Sequence, residues 1–193
     1  MNLIKLKIFT KSFIKYFICI LIILSVGVVG FRLWNAGTFL PHWIVWESAV
    51  FRDASGQYEM VLENKKVQVH HEDQLIWTTT KDVKVQKALC ADIDRDGQDE
   101  LVFLCWRKGH YGDVKPIWEE EDETDWVQHI YVYELMEDGV HAKWMSSYIG
   151  KDILDITAHT SEASGSLLHL TDMSGEESIW RWESWGFKRV DIL

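Results

Sequence analysis

An all-β body behind one N-terminal membrane helix is the architecture this 193-residue chain predicts, and three observations carry it. Residues 16–31 hold no charged side chain. Beyond residue 34, short runs alternate apolar with polar residues and are broken by Gly, Asn and Asp, the pattern of half-buried strands joined by turns. One acidic loop at residues 92–100 (DIDRDGQDE) lies between two such runs, and fainter copies flank it in the chain.

The N-terminal segment sets the compartment. Lys5, Lys7, Lys11 and Lys15 precede the apolar stretch, with no acid among them. A spanning helix wants roughly 20 apolar residues. Phe13 and Ile14 lengthen the stretch if Lys15 snorkels to the headgroups, and residues 31–34 add an aromatic flank. Basic residues stay on the cytoplasmic side. The expectation is a single-pass protein of the cell membrane, with residues 1–34 as basic tail and anchor and residues 35–193 outside the cytoplasm. A cleaved signal peptide begins the same way; the segment's length and the lack of a good small-x-small site favour the retained anchor.

The body reads as about three units of four antiparallel strands, near residues 40–80, 81–149 and 150–193. In each unit a strand leads into a loop: residues 43–46, 83–91 and 152–157. The loops align on Gly56, Gly97 and Gly165, each followed by an apolar run. Third strands follow at 67–69, 129–133 and 178–182, and short fourth strands at 75–77, 141–144 and 187–190. A recurrence over several tens of residues is the signature of repeat folds. The middle unit is longer because it carries a charged insertion, residues 109–126.

The acidic loop has the chemistry of a hard-cation site. Calcium takes six to eight oxygen ligands, which alternate side chains can supply around a sharp turn. Asp92, Asp94 and Asp96 offer carboxylates, Gln98 its backbone carbonyl and Glu100 a closing carboxylate, while Gly97 allows the turn. Strand-like flanks and Phe103 at the twelfth position exclude an EF-hand. The plain alternative is an Asp-Gly turn with solvated acids.

Residues 91–102 (ADIDRDGQDELV) resemble the acidic loop of FG-GAP/VCBS-type repeats, the blades of integrin-like β-propellers. In that family a D-x-D-x-D-G-x-x-D loop joins the first two strands of a blade and often holds calcium. The resemblance implies propeller-blade-like units and a structural calcium on Asp92, Asp94, Asp96 and Glu100, with Glu replacing Asp at the last position. The other two units match it only loosely, and the Phe-Gly and Gly-Ala-Pro signatures are missing; Tyr111-Gly112 is a partial stand-in. Propellers close with about four or more blades. Three units therefore imply completion by another copy or a partner, or an open stack.

Charge and composition narrow the partners. The first 34 residues hold five basic groups, leaving 15 basic against 30 acidic side chains in the body, a formal −15. Such a surface repels nucleic acid. Cys90 and Cys105 lie on two arms of one hairpin but too far out of register for a bridge. Of eleven tryptophans, Trp77, Trp144, Trp180, Trp182 and Trp185 sit at equivalent strand positions and read as filling between sheets. Trp118 and Trp126 bracket an acidic run and, with His110 and Tyr111, mark a candidate interaction loop. No nucleophile elbow, HExxH, phosphate loop or CxxC occurs. The expected function is binding or assembly with a protein or glycan partner, in a chain that is not an enzyme. An exported hydrolase, or a hydrolase inhibitor, acting on cell-envelope glycans is the rival.

Overall fold

The computed structural model describes residues 3–111, 117–118, 122, 124–161 and 165–190. Gly112, residues 119–121 and 123 of the acidic run, and residues 162–164 of the third loop lie outside them. The chain divides into Met1–Leu40 and Pro41–Leu193.

The first unit is the helix α1 (Leu3–Asn35), whose stretch Ile14–Asn35 is long and apolar enough to cross a membrane, as a span or as a signal sequence. Its 22 residues rise about 33 Å at 1.5 Å each, the thickness of a hydrocarbon core. Phe17, Ile18, Ile20, Ile22 and Ile23 are all exposed, so apolar side chains cover every side of the helix. It ends where Gly37 adopts a left-handed φ of 70°. The Gly37 and Thr38 amides then donate back to the Trp34 and Leu33 carbonyls (both 3.1 Å), a Schellman stop.

Among its described residues the second unit has twelve strands in three four-stranded antiparallel sheets, each a simple meander. The first holds β1 (Ala49–Arg52), β2 (Tyr58–Glu63), β3 (Lys66–His71) and β4 (Gln74–Thr78). The middle sheet holds β5 (Lys84–Ala91), β6 (Glu100–Lys108), β7 (Trp126–Met136) and β8 (Gly139–Met145). The third holds β9 (Ile153–Ser161), β10 (Gly165–Asp172), β11 (Glu177–Trp182) and β12 (Phe187–Val190). Tight turns set the register: Asn64 and Lys65, then Glu72 and Asp73, take positive φ in pairs, the two-residue turn whose twist matches a hairpin.

The middle sheet explains why β6 reads as a continuous apolar run: it is covered on both faces. Leu101, Phe103 and Cys105 point into a core shared with Met60, Leu62, Val67 and Val69 of the first sheet. Val102 and Leu104 point the other way, toward Ile156, Leu168 and Leu170 of the third. Full burial of each such side chain stabilises by roughly 1.5–3 kcal/mol. Strand β5 packs against β1, β2 and β3 of the first sheet and against β9 of the third, and β4 meets β8.

Two expectations need correction. The first four-stranded sheet opens with Ala49–Arg52, paired from Ala49 opposite Leu62, and not with residues 43–46. That segment is irregular because its large side chains serve another purpose: Ile44 is buried, and Trp43 packs on Trp106 with ring centroids 5.8 Å apart. Trp185 is exposed at the β11–β12 turn and fills nothing. Trp77, by contrast, packs on Phe103 and Tyr133, and Trp144 on Trp182 and Phe187. Cys90 lies opposite Leu101 and Cys105 opposite Val85, and both thiols are free.

Candidate functional site

The acidic loop connects β5 to β6, and most of its oxygens are taken up by the chain itself. Asp92 accepts from the Arg95 amide (2.7 Å) and the Gly97 amide (3.1 Å), one on each oxygen. Asp94 Oδ1 accepts from the Asp96 amide at 3.2 Å, and Asp96 Oδ1 from the Gln98 amide at 2.8 Å. These are Asx-type turns, in which short acidic side chains hold the backbone bend. Arg95 and Gly97 both carry positive φ, as the bend requires. Oxygens of Asp92, Asp94 and Glu100 come within 4.8 Å of one another, so three of the five expected ligands converge.

A residue from elsewhere completes the cluster. Lys143 of β8 places its Nζ 2.5 Å from Asp94 Oδ2, 2.7 Å from Glu100 Oε1 and 3.0 Å from Glu134 Oε1. Glu100 is 2% exposed, and its other oxygen accepts from the Ile93 amide at 2.9 Å. Burial works against the Lys143 charge, but the three carboxylates outweigh it and hold the ammonium above the ordinary lysine range. Burial raises the Glu100 carboxyl above its usual range, while Lys143 and the Ile93 amide pull it back. The first sheet's equivalent loop lies beside this one. There Asp53 accepts from the Ser55 and Tyr58 amides (3.1 and 2.8 Å), and the Ala54 amide donates across to Asp99 Oδ2 at 2.7 Å.

The insertion between β6 and β7 has a tied base. The Gly109 amide donates to the Asp125 carbonyl (3.1 Å), and the His110 amide to Asp122 Oδ1 (2.8 Å). Behind them sits His129, fully buried, with Nε2 3.0 Å from the Gly109 carbonyl and Nδ1 2.9 Å from the Ser146 carbonyl. Burial depresses its pKa, and the two carbonyls only partly oppose this. Trp126 is half-buried under the Lys84 and Lys108 ammoniums, 6.0 and 5.7 Å from its ring. Ile117 and Trp118 are exposed at 97% and 77%. Tyr111 is half-buried.

His110 stacks on Tyr148, centroids 5.0 Å apart and nearly parallel. Tyr148 in turn lines a pocket of about 220 Å³ between the middle and third sheets, walled also by Trp144, Trp180 and Phe187 with Ser146 and Ser147 at its edge. The four expected residues of the interaction loop therefore split: His110 and Trp126 anchor the base, Tyr111 is half-buried, and Trp118 stands in solvent. The pocket, Lys143 and His129 carried no signal in the sequence, because each depends on pairing between strands far apart in the chain. No family model, curated protein or solved structure matches the chain.

Proposed function

We propose that the chain is a membrane-anchored, extracytoplasmic binding or assembly module of β-propeller-like units. Its contact face lies where the insertion after β6 meets the pocket walled by Trp144, Tyr148, Trp180 and Phe187. The observation that carries this reading is the His110–Tyr148 stack, which joins the tied base of the insertion to the rim of an aromatic pocket. Aromatic walls with a few hydroxyls at the edge suit an apolar or planar group on a protein or glycan partner. Ile117 and Trp118, exposed in the insertion, are a further apolar offering. The propeller-like reading is supported by the packing of β5 against β1 and β9, of β4 against β8, and by a middle sheet covered on both faces.

The test uses the membrane-bound chain. A photo-cross-linking residue in place of Trp118 should capture a defined envelope component. With the cross-linker kept at position 118, Tyr148→Ser should abolish that capture while the unfolding midpoint stays near the parent's. Unchanged capture by this variant would remove the contact face. Cysteine substituted at Trp118 should react with an impermeant maleimide on intact cells; protection until lysis would place the body inside.

A further inference from the structure

We infer that the cation of the acidic loop is the chain's own Lys143, and that this loop folds without calcium. Lys143 is the extra residue of a bulge in β8: Tyr133 pairs with Ala142 and Val132 with Trp144, which leaves position 143 unpaired in the ladder. A bulge re-aims a side chain, and here it sends an ammonium into the place where a bound ion would neutralise the loop. Its contacts are those of a counter-ion. Three carboxylate oxygens lie within 3.0 Å, from Asp94, Glu100 and Glu134. The Trp182 ring closes a further side at 5.9 Å, and the lysine side chain is only 12% exposed.

A calcium ion fits this arrangement poorly. It needs six to eight oxygens at 2.3–2.6 Å. Of the three carboxylates that converge, Asp94 and Glu100 are the two on which the ammonium rests, and both oxygens of Asp92 already accept from amides. A divalent ion sharing Asp94 and Glu100 would sit a few ångströms from a buried positive charge. Lysine and calcium are thus alternatives at one position. Glu100 depends on that choice most, since it is the deepest carboxylate of the set and its Oε1 rests on Lys143 alone among the bonds described.

The experiment uses the full chain in detergent, melted with millimolar calcium chloride or with chelator. The expected wild-type midpoints coincide. Lys143→Met, melted in chelator, should lose roughly 5–10 °C, because removing one partner strands the buried Glu100 carboxylate. A wild-type midpoint that rises with calcium overturns the inference, as does a Lys143→Met midpoint equal to the parent's. Should the variant fail to accumulate, calorimetric titration of the wild-type chain with calcium chloride decides: no saturable heat supports the internal ion, and saturable binding overturns it. These readouts are separate from partner capture at the insertion.

Discussion

Gln86 and Gln128 share a 2.9 Å hydrogen bond inside the protein, and through it the middle sheet grips the first strand of the third. Gln86 is itself a bulge residue, skipped between the Val85–Cys105 and Lys87–Leu104 pairs, and 1% exposed. Its Oε1 also accepts from Trp106 Nε1 at 2.9 Å, and its amide donates to the Leu154 carbonyl at 3.0 Å. Gln128 Oε1 accepts the Ile153 amide at 2.6 Å while Nε2 donates to the Ile153 carbonyl at 2.8 Å, so a side chain stands in for a neighbouring strand. Gln128→Leu should therefore cost roughly 3 kcal/mol in denaturant unfolding, because it orphans the Ile153 amide, leaves the Ile153 carbonyl only the 3.4 Å bond from Gln86 Nε2 and removes one donor from Gln86 Oε1. A cost under about 1 kcal/mol would mean that water replaces the network.

Phe103 should be the most sensitive apolar position of the first core. It is fully buried and touches Trp77 and Tyr133 with centroids 6.2 and 5.2 Å away. Phe103→Ala should destabilise by roughly 3–5 kcal/mol through lost transfer energy and the cavity left behind. Val50→Ala, 66% exposed on β1 of the first sheet, should stay within about 0.5 kcal/mol. Equal losses at the two positions would contradict the assigned sheet faces.

Gly109 is where the insertion leaves the sheet. Its φ of 89° suits glycine, and a Cβ there would collide with the Asp122 carboxylate that holds the His110 amide. Gly109→Ala should cost roughly 1–3 kcal/mol from strain alone. Its diagnostic effect is local: displacing Asp122 loosens the base, so limited proteolysis should cut within residues 110–125 sooner than in the parent. Unchanged cleavage would show that Asp122 moves aside without consequence.

How far the sequence carried the reading follows from what kind of contact each feature needs. Alternation exposed the strands, since a two-residue period is a local property, and β12 at Phe187–Val190 matches the sequence expectation residue for residue. The length of the loop between β6 and β7 was equally plain. Residues 43–46 misled because their apolar pattern serves cover for Trp106 instead of pairing. Bulges were invisible: nothing in residues 84–91 or 139–145 says that Gln86 and Lys143 drop out of the ladder and turn into the interior. The acidic loop was legible as a cluster of carboxylates, but the lysine that enters it comes from a strand 43 residues beyond Glu100. Buried polar contacts of this kind are set by register, which hydropathy does not report.

His129 should make the fold acid-sensitive. Burial holds its pKa below the ordinary 6.5, Arg107 pushes in the same direction, and the Ser146 and Gly109 carbonyls with Asp122 oppose. The Tyr131 ring lies against it at 5.6 Å. A histidine whose folded pKa is depressed binds protons more readily once unfolded. Its contribution is therefore fully present above pH 6.5 and is lost as pH falls below that value toward the folded pKa. Stability of the wild-type chain should decline between pH 7.5 and 5.5, roughly spanning the ordinary histidine range. His129→Gln keeps one hydrogen bond to either carbonyl without a titrating group, so it should start less stable and show a flatter profile over that interval. Parallel profiles for parent and variant would assign the acid sensitivity to other groups.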